Sequence, residues 1–326
     1  MDPIYHMTYL QAVVIGLIQG ITELFPISSL GHTVLIPSWL GGSWATLVRQ
    51  ESRAESPYLA FVVGLHLATA IVLLGVYATT WVRVIRGFCT SIAHREIRSA
   101  DQKRAWLIVV ATTPVGLAGL VLEHPFRVLF AKPLAAAIFL TINGGILLGG
   151  EILRRRAPRQ PPVPAQAGVP ARQDASAGTP GERNDSDGDT MLDEAAEQRL
   201  AGIGGWNAVW IGASQILALF AGISREGVTM VGGLTRGLNH EDAMRFSFLL
   251  STPVILAAGI LKLTDLTGSL GADIRGQVIA GSIAAAATSL FAVLFLARYF
   301  RTRTLTPFAV YCAAAGIISI IRFAVW

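Results

Sequence analysis

The sequence predicts an all-α polytopic membrane protein, with six transmembrane helices plus two re-entrant helical hairpins in inverted-topology repeats. Three observations predict it. Of 326 residues, 52% are hydrophobic and only 14% charged, whereas a soluble globular domain carries about 25% charged residues; mean hydropathy is +0.54. The charge is unevenly spread, since residues 154–203 hold 15 of the 47 charged side chains and leave 32 for the other 276 residues. Six segments are long and apolar enough to cross about 30 Å of hydrocarbon at about 1.5 Å per residue. A soluble enzyme, a disordered chain and a nucleic-acid binder all fit this composition poorly. The net charge is +5 and the pI about 9.6, but the basic residues cluster at the ends of apolar segments, as membrane orientation requires. No nucleic-acid partner is therefore expected.

In chain order, an apolar run over 9–25 opens the chain and breaks at Pro26-Ile27-Ser28-Ser29-Leu30-Gly31. The start MDPIYHMTYL has no basic region of its own and the first apolar run leads into a motif, so a cleavable leader is not expected. Spans follow at 58–82, 105–122 and 133–151. A second short run over 206–222 breaks at Ala221-Gly222-Ile223-Ser224-Arg225-Glu226-Gly227, and spans at 242–262, 274–297 and 305–325 complete the chain. Basic groups lie in 83–104, at Arg154, Arg155, Arg156 and Arg159, and at Arg298, Arg301 and Arg303. They fall on one side, the cytoplasm, if each span is crossed once and the two short runs turn back. Irregular backbone at membrane depth is tolerated only within protein or beside a water-filled cavity, so the two breaks point to a site.

Shifting the sequence by 196 residues aligns the two breaks: Gly16 with Gly212, Gln19 with Gln215, Ile27-Ser28 with Ile223-Ser224, Gly31 with Gly227 and Thr33 with Thr229. Three spans after each break invert the second copy relative to the first, which brings the hairpin tips together near the midplane. The expected organisation is a first repeat over 1–153, a polar connector over 154–203 on the cytoplasmic side, and a second repeat over 204–326. The connector holds six of the fifteen prolines and cannot bury a core. Its Asp185-Ser186-Asp187-Gly188-Asp189 run has Thr190 and Ala196 where a calcium loop needs Gly and Glu, so it reads as a solvated linker. Cys89 and Cys312 are far apart and suggest neither a disulfide framework nor a metal site.

Thirteen acidic residues lie outside the connector; Glu23 and Glu226 stand in the hairpins, the other eleven in loops, near the termini or at span ends. An ionisable group at membrane depth costs at least about 2.5–3.5 kcal/mol on insertion scales, so these two, with Arg225 and His32, are functional candidates. Ser28, Ser29, Ser224 and Thr229 offer hydroxyls, and Gly31 and Gly227 allow backbone amides close to a ligand. Half-helices starting near His32 and Gly227 would present N-termini suited to an anion, and Arg225 a planar fork for phosphate oxygens. Glu23 could hold a divalent cation or move a proton; His32 could be base, acid or nucleophile. Phosphate, metal and base together describe phosphoryl transfer. Plainer roles stand beside these: a structural Glu23–Arg225 ion pair, Ser28 and Ser29 as helix caps, His32 as a core imidazole, and His66 as an interhelical hydrogen-bonding residue. Gln19, one helical turn before Glu23, lines the site or bonds its neighbour, and the Trp and Tyr residues read as interface anchors.

Gln19-Gly20-Ile21-Thr22-Glu23-Leu24-Phe25-Pro26-Ile27-Ser28-Ser29-Leu30-Gly31-His32 resembles the first signature of the undecaprenyl-pyrophosphate phosphatase family of the bacitracin-resistance type. Gly222-Ile223-Ser224-Arg225-Glu226-Gly227-Val228-Thr229 resembles its second, and the segments from Phe246 to Pro253 and from Pro307 to Tyr311 also look like family segments. The resemblance implies a bacterial plasma-membrane hydrolase whose site opens outward. Its partner would be a polyprenyl pyrophosphate lipid, and it would use Mg2+ or Ca2+. It implies Glu23 as the essential carboxylate with Gln19 as companion, Ser29 as a pyrophosphate-binding or nucleophilic hydroxyl, and His32 as base or nucleophile. Arg225 would be the phosphate clamp, with Ser224 and Thr229 completing the pocket; Ser29, His32 or an activated water could attack phosphorus. Glu226 stands where the family usually has Ser and could bind a second cation. Ala221, Leu30 and Cys312 replace the usual Pro, Thr and Arg. A polyprenyl-phosphate flippase or transporter on the same scaffold is the alternative, and a non-catalytic membrane scaffold a third reading.

Overall fold

The computed structural model describes residues 7–51, 57–130, 132–156, 199–200, 202–261 and 273–325; the side chains of 49–51, 59–60 and 123–130 lie outside that description. The described residues are helical, without strands. Helix α1 (Tyr9–Leu24) starts on a capping box, in which Thr8 Oγ1 accepts from Gln11 N (3.2 Å) and Gln11 Oε1 from Thr8 N (2.9 Å). It ends at Phe25, which takes the extended conformation that the residue before a proline favours. Helix α2 (Ser29–Leu40) follows at once, and α3 (Gly42–Glu51) is a short helix that the hydropathy pattern does not announce.

Helices α4 (Pro57–Val76) and α5 (Ala78–His94) meet at Tyr77 with a bend of 86° between their long axes. The first span, expected over 58–82, therefore turns at Tyr77. Helix α5 buries only Val84, Gly87 and Ser91 along one face, packed on the next helix. Long helices α6 (Ala100–Phe130) and α7 (Pro133–Arg156) close the first half. In the second half, α8 (Gly205–Ser214) gives way to a 3-10 turn over Gln215–Leu219, so the second apolar run is not one continuous helix. Then come α9 (Arg225–Thr235), α10 (His240–Leu261), α11 (Arg275–Tyr299) and α12 (Thr306–Val325). Among the described residues five helices are long and apolar enough to cross a membrane (Ala100–Leu122 of α6, and α7, α10, α11 and α12), or six if the bent pair is one span. Their outward faces expose Leu120, Val121, Ile283, Phe291 and Val310. Such apolar surface marks a multi-pass membrane protein. The connector, apart from residues 154–156, 199–200 and 202–203, lies outside the described residues, as does the Asp185 run.

The two halves interlock. Helix α1 packs on α11 of the other half, and α8 packs on α6. A Cβ at Gly16 would lie 2.3 Å from the Gly281 carbonyl oxygen, and one at Gly212 would lie 1.8 Å from that of Ala111. The two glycines that align under the 196-residue shift thus serve matching crossings, where only a missing side chain lets the backbones touch. Helix α7 packs on α12 and carries both α2 and α9 on its flank. The largest apolar core, including Leu24, Ile27, Leu140, Leu147, Met230 and Phe248, surrounds the point where these helices meet.

Charges collect at the helix ends. Glu151, near the end of α7, is only 2% exposed; its carboxylate takes His240 Nε2 at 2.8 Å, with Arg154 and Arg155 at 3.7 and 3.6 Å. It stands at a span end, as expected, and is also a buried ion-pair centre. Arg199 forks onto Asp242 at 2.7 and 2.9 Å, and Arg301 reaches Glu241 at 3.8 Å. The end of α7, the start of α10 and the turn between α11 and α12 thus share one end of the bundle. At the start of α11, Gln277 donates to the Met7 carbonyl at 3.1 Å, and Gln11 donates to Ser43 at 3.3 Å. The starts of α1, α3 and α11 are gathered there.

Candidate active site

The two breaks in the helices touch. Gly222 N donates to Ser28 Oγ at 3.2 Å, and Ser224 Oγ donates to the Phe25 carbonyl at 3.4 Å. Ser28 and Ser224 are the N-caps of α2 and α9, accepting from Gly31 N (3.2 Å) and Gly227 N (3.1 Å). The half-helices therefore start at Ser29 and Arg225, earlier than the expected His32 and Gly227. The amides of Gly31 and Gly227 are already engaged by their caps. Ser28 itself sits at φ 71, a left-handed conformation for a residue with a side chain.

Between the tips is a small cavity lined by Glu23, Ser28, Ser29, Leu30, His66, Ala218, Ile223, Ser224 and Arg225. Ser29 Oγ donates to Glu23 Oε2. His66 Nε2 stands 3.2 Å from the same oxygen, while its Nδ1 donates to the Val62 carbonyl at 2.8 Å. Arg225 NH1 is 4.0 Å from Glu23 Oε1; among the described residues that buried nitrogen has no hydrogen-bond partner. The first residues of both α2 and α9 face the cavity. Each helix N-terminus carries about half a unit of positive charge in unpaired N–H groups. An anion with several oxygens would thus meet a guanidinium and two helix ends, beside one carboxylate that already holds a serine hydroxyl.

Of the residues singled out from sequence, Glu23, Ser28, Ser29, Ser224 and Arg225 line the cavity. Six others do not line it. His32 is turned away: its Nδ1 donates to the Ser28 carbonyl at 2.7 Å, and its Nε2 lies 2.8 Å from the Tyr311 hydroxyl, on whose ring it stacks. In the neutral ring with Nδ1 donating, Nε2 accepts from the Tyr311 hydroxyl. Gln19 faces Thr69, whose hydroxyl donates to Gln19 Oε1 at 3.3 Å. Glu226 accepts from the Ser247 and Ser251 hydroxyls of α10. Thr229 donates back to the Arg225 carbonyl at 2.7 Å, within its own helix. Gly31 and Gly227 hold the caps. His66, read as a hydrogen-bonding residue between helices, does reach from α4 to Glu23 on α1, but it also lines the cavity, a place the sequence reading did not give it. It meets the same test that picks out Glu23, an ionisable group inside an apolar span.

Fold and site together define a multi-pass membrane protein that holds a carboxylate, a serine and an arginine between two broken helices. Residues 12–318 match the family described as bacitracin resistance protein BacA, and the chain belongs to that family. It is 52% identical to undecaprenyl-diphosphatase 2 of Frankia alni, over 98% of this chain and 99% of that one. It is 53% identical to the undecaprenyl-diphosphatase of Mycolicibacterium paratuberculosis, over 98% of each. A more distant relative, undecaprenyl-diphosphatase 2 of Chromobacterium violaceum, is 35% identical over 97% and 99%.

Proposed function

We propose that this protein is an undecaprenyl-diphosphatase, hydrolysing undecaprenyl pyrophosphate to undecaprenyl phosphate and inorganic phosphate. It thereby recycles the carrier lipid for peptidoglycan synthesis and confers resistance to bacitracin. The names of its full-length relatives support the reading. The single observation that carries it is the Ser29 hydroxyl donating to the Glu23 carboxylate in a cavity that Arg225 also lines. A flippase needs an anion site, but it has no use for a hydroxyl paired with a base.

In this mechanism Arg225 and the N-termini of α2 and α9 hold the pyrophosphate oxygens and offset their charge. Glu23 takes the proton of Ser29 as its Oγ attacks the terminal phosphorus. The Oγ–P bond forms, the bridging P–O bond breaks and undecaprenyl phosphate leaves. Glu23 passes its proton to that leaving phosphate and is again a carboxylate; it then takes a proton from the water that attacks the phosphoserine and returns it to Ser29 Oγ as inorganic phosphate leaves. His66 holds Glu23 Oε2 in place. His32 acts at one remove, tying the strained Ser28 backbone to Tyr311. Replacing His66 with Ala is expected to lower phosphate release by about 100-fold through loss of that alignment, with the thermal midpoint of the detergent-solubilised protein close to wild type. Wild-type turnover in that variant would remove His66 from the site.

The donor set fits a divalent cation brought with the substrate better than one held in a cage. Among the described residues no group of three or more His, Cys, Asp or Glu side chains could hold a metal ion, and Glu23 is the one carboxylate on the cavity wall. Mg2+ characteristically uses one or two carboxylates plus substrate phosphates. Glu23 would hold it; Gln19 and Glu226 face other partners in the structure. When bound, such an ion supplies charge neutralisation on the pyrophosphate.

The same reading takes α1–α2 and α8–α9 as the two re-entrant hairpins of inverted repeats, 1–153 and 204–326, in a bacterial plasma membrane with the site facing outside. The Gln11–Ser43 contact supports a first hairpin that returns to its own side. The shared end of Glu151, His240 and Arg301 supports a common cytoplasmic face for the basic groups.

The deciding measurement is phosphate release from undecaprenyl pyrophosphate by the full chain in detergent, with and without EDTA. Release that EDTA suppresses is expected. Binding of the lipid without release under any divalent cation would overturn the hydrolase in favour of a lipid transporter.

A further inference from the structure

Asn143 lies midway along α7 and is fully buried, 0% exposed, between the buried Leu140 and Leu147. Its Nδ2 donates to the Pro26 carbonyl at 3.0 Å. Its Oδ1 accepts from Ser224 N, also at 3.0 Å. The first partner lies between Glu23 and Ser29; the second is the cap on which Arg225 follows directly. One side chain thus spans both tips from a helix that belongs to neither. A carbonyl can only accept and a backbone N–H can only donate, so the amide can lie only one way round. Nδ2 also stands 3.4 Å from Cys312 Sγ on α12, which uses the second hydrogen. An amide is the neutral side chain of this length that donates at one end while accepting at the other. An apolar side chain of the same size leaves the buried Ser224 N–H without this acceptor and the Pro26 carbonyl with the distant Cys312 thiol, 3.9 Å away.

We infer that Asn143 is a positioning residue for the hydrolysis, holding the Glu23–Ser29 tip in register with the Arg225 tip; the assignment rests on the function proposed above. The site is split between two tips, so no single helix fixes the distance between its nucleophile and its phosphate clamp. Among the described residues the Arg225–Glu23 pair is long at 4.0 Å, and the two direct hydrogen bonds between the tips run through serine hydroxyls, whose rotation allows play. The planar amide, bonded at both ends, does not. Moving Ser224 N carries the start of α9 and Arg225 with it, and a misplacement of about 1 Å can cost about 100-fold in rate.

The test is a double-mutant cycle on the full-length protein in detergent. Asn143→Leu and Asn143→Ala are made alone and in an Arg225→Ala background, and kcat and KM for phosphate release from undecaprenyl pyrophosphate are measured for each. Two replacements guard against one of them failing to fold, and the thermal midpoint identifies such a failure. Asn143→Leu alone is expected to lower kcat by about 100-fold with KM changed less than about threefold, because alignment is needed in the transition state more than in binding. In the Arg225→Ala background the same change should cost less than about threefold, since the group it aligns is gone. Equal losses in both backgrounds, in an active wild type, would overturn the assignment and leave the hydrolase reading intact. A wild type that releases no phosphate would overturn both.

Discussion

Exchange of Glu23 for Gln is expected to lower phosphate release from undecaprenyl pyrophosphate by about 1000-fold. The substitution keeps the side-chain size and removes two things at once. The amide cannot take the proton of Ser29, whose hydroxyl donates to Glu23 in the structure. It also removes the single anionic oxygen pair on the cavity wall that could hold a divalent cation beside the substrate. Glu23 is 7% exposed and sits among His66, Ser29 and Arg225, so the change alters protonation and charge more than packing. The measurement is phosphate release across a range of Mg2+ and Ca2+ concentrations. A variant restored to wild-type rate by more cation would mean that Glu23 serves the metal alone and that Ser29 gives its proton elsewhere. A variant with wild-type rate throughout would remove Glu23 from the chemistry.

Much of this arrangement is legible in sequence because the membrane makes polarity costly. Glu23 and Arg225 stand out in apolar runs, and the Ser-Ser and Ser-Arg breaks mark where helices restart. Gly16 and Gly212 align under the internal shift because both crossings demand the same missing side chain. What stays hidden depends on direction about a helix axis. His32 is polar and follows the first break, yet its ring is turned onto Tyr311, 279 residues away. His66, in a span with no break near it, points into the cavity. Asn143 is polar within a span and signals a contact, but nothing local says that its two partners lie 117 and 81 residues away. The 86° turn at Tyr77 is equally silent, since hydropathy continues across it. Glu151 reads only as a span end with arginines after it; the buried His240 that pairs with it comes from another helix.

Gly222→Ala is expected to cost about 2 kcal/mol of stability and about 100-fold in phosphate release. Gly222 sits at φ +114, where a side chain is strained whatever surrounds it. A Cβ there would also lie 2.4 Å from the Ala136 carbonyl oxygen and 2.7 Å from Leu140 N. Both are backbone atoms of α7, which packs on α12 and cannot yield without moving the core. Relief must come from the tip itself. If the tip retreats from α7, Gly222 N leaves Ser28 Oγ and Ser224 N leaves Asn143, so Arg225 loses its register with Ser29. Gly41 is the control: its φ is +70, yet nothing lies within 4 Å of the added Cβ. Gly41→Ala carries the backbone strain without the collision, so it should keep most of the activity. Comparable loss of phosphate release in the two variants would mean that backbone strain alone explains the effect, and that contact between the tip and α7 does not set the geometry of the site.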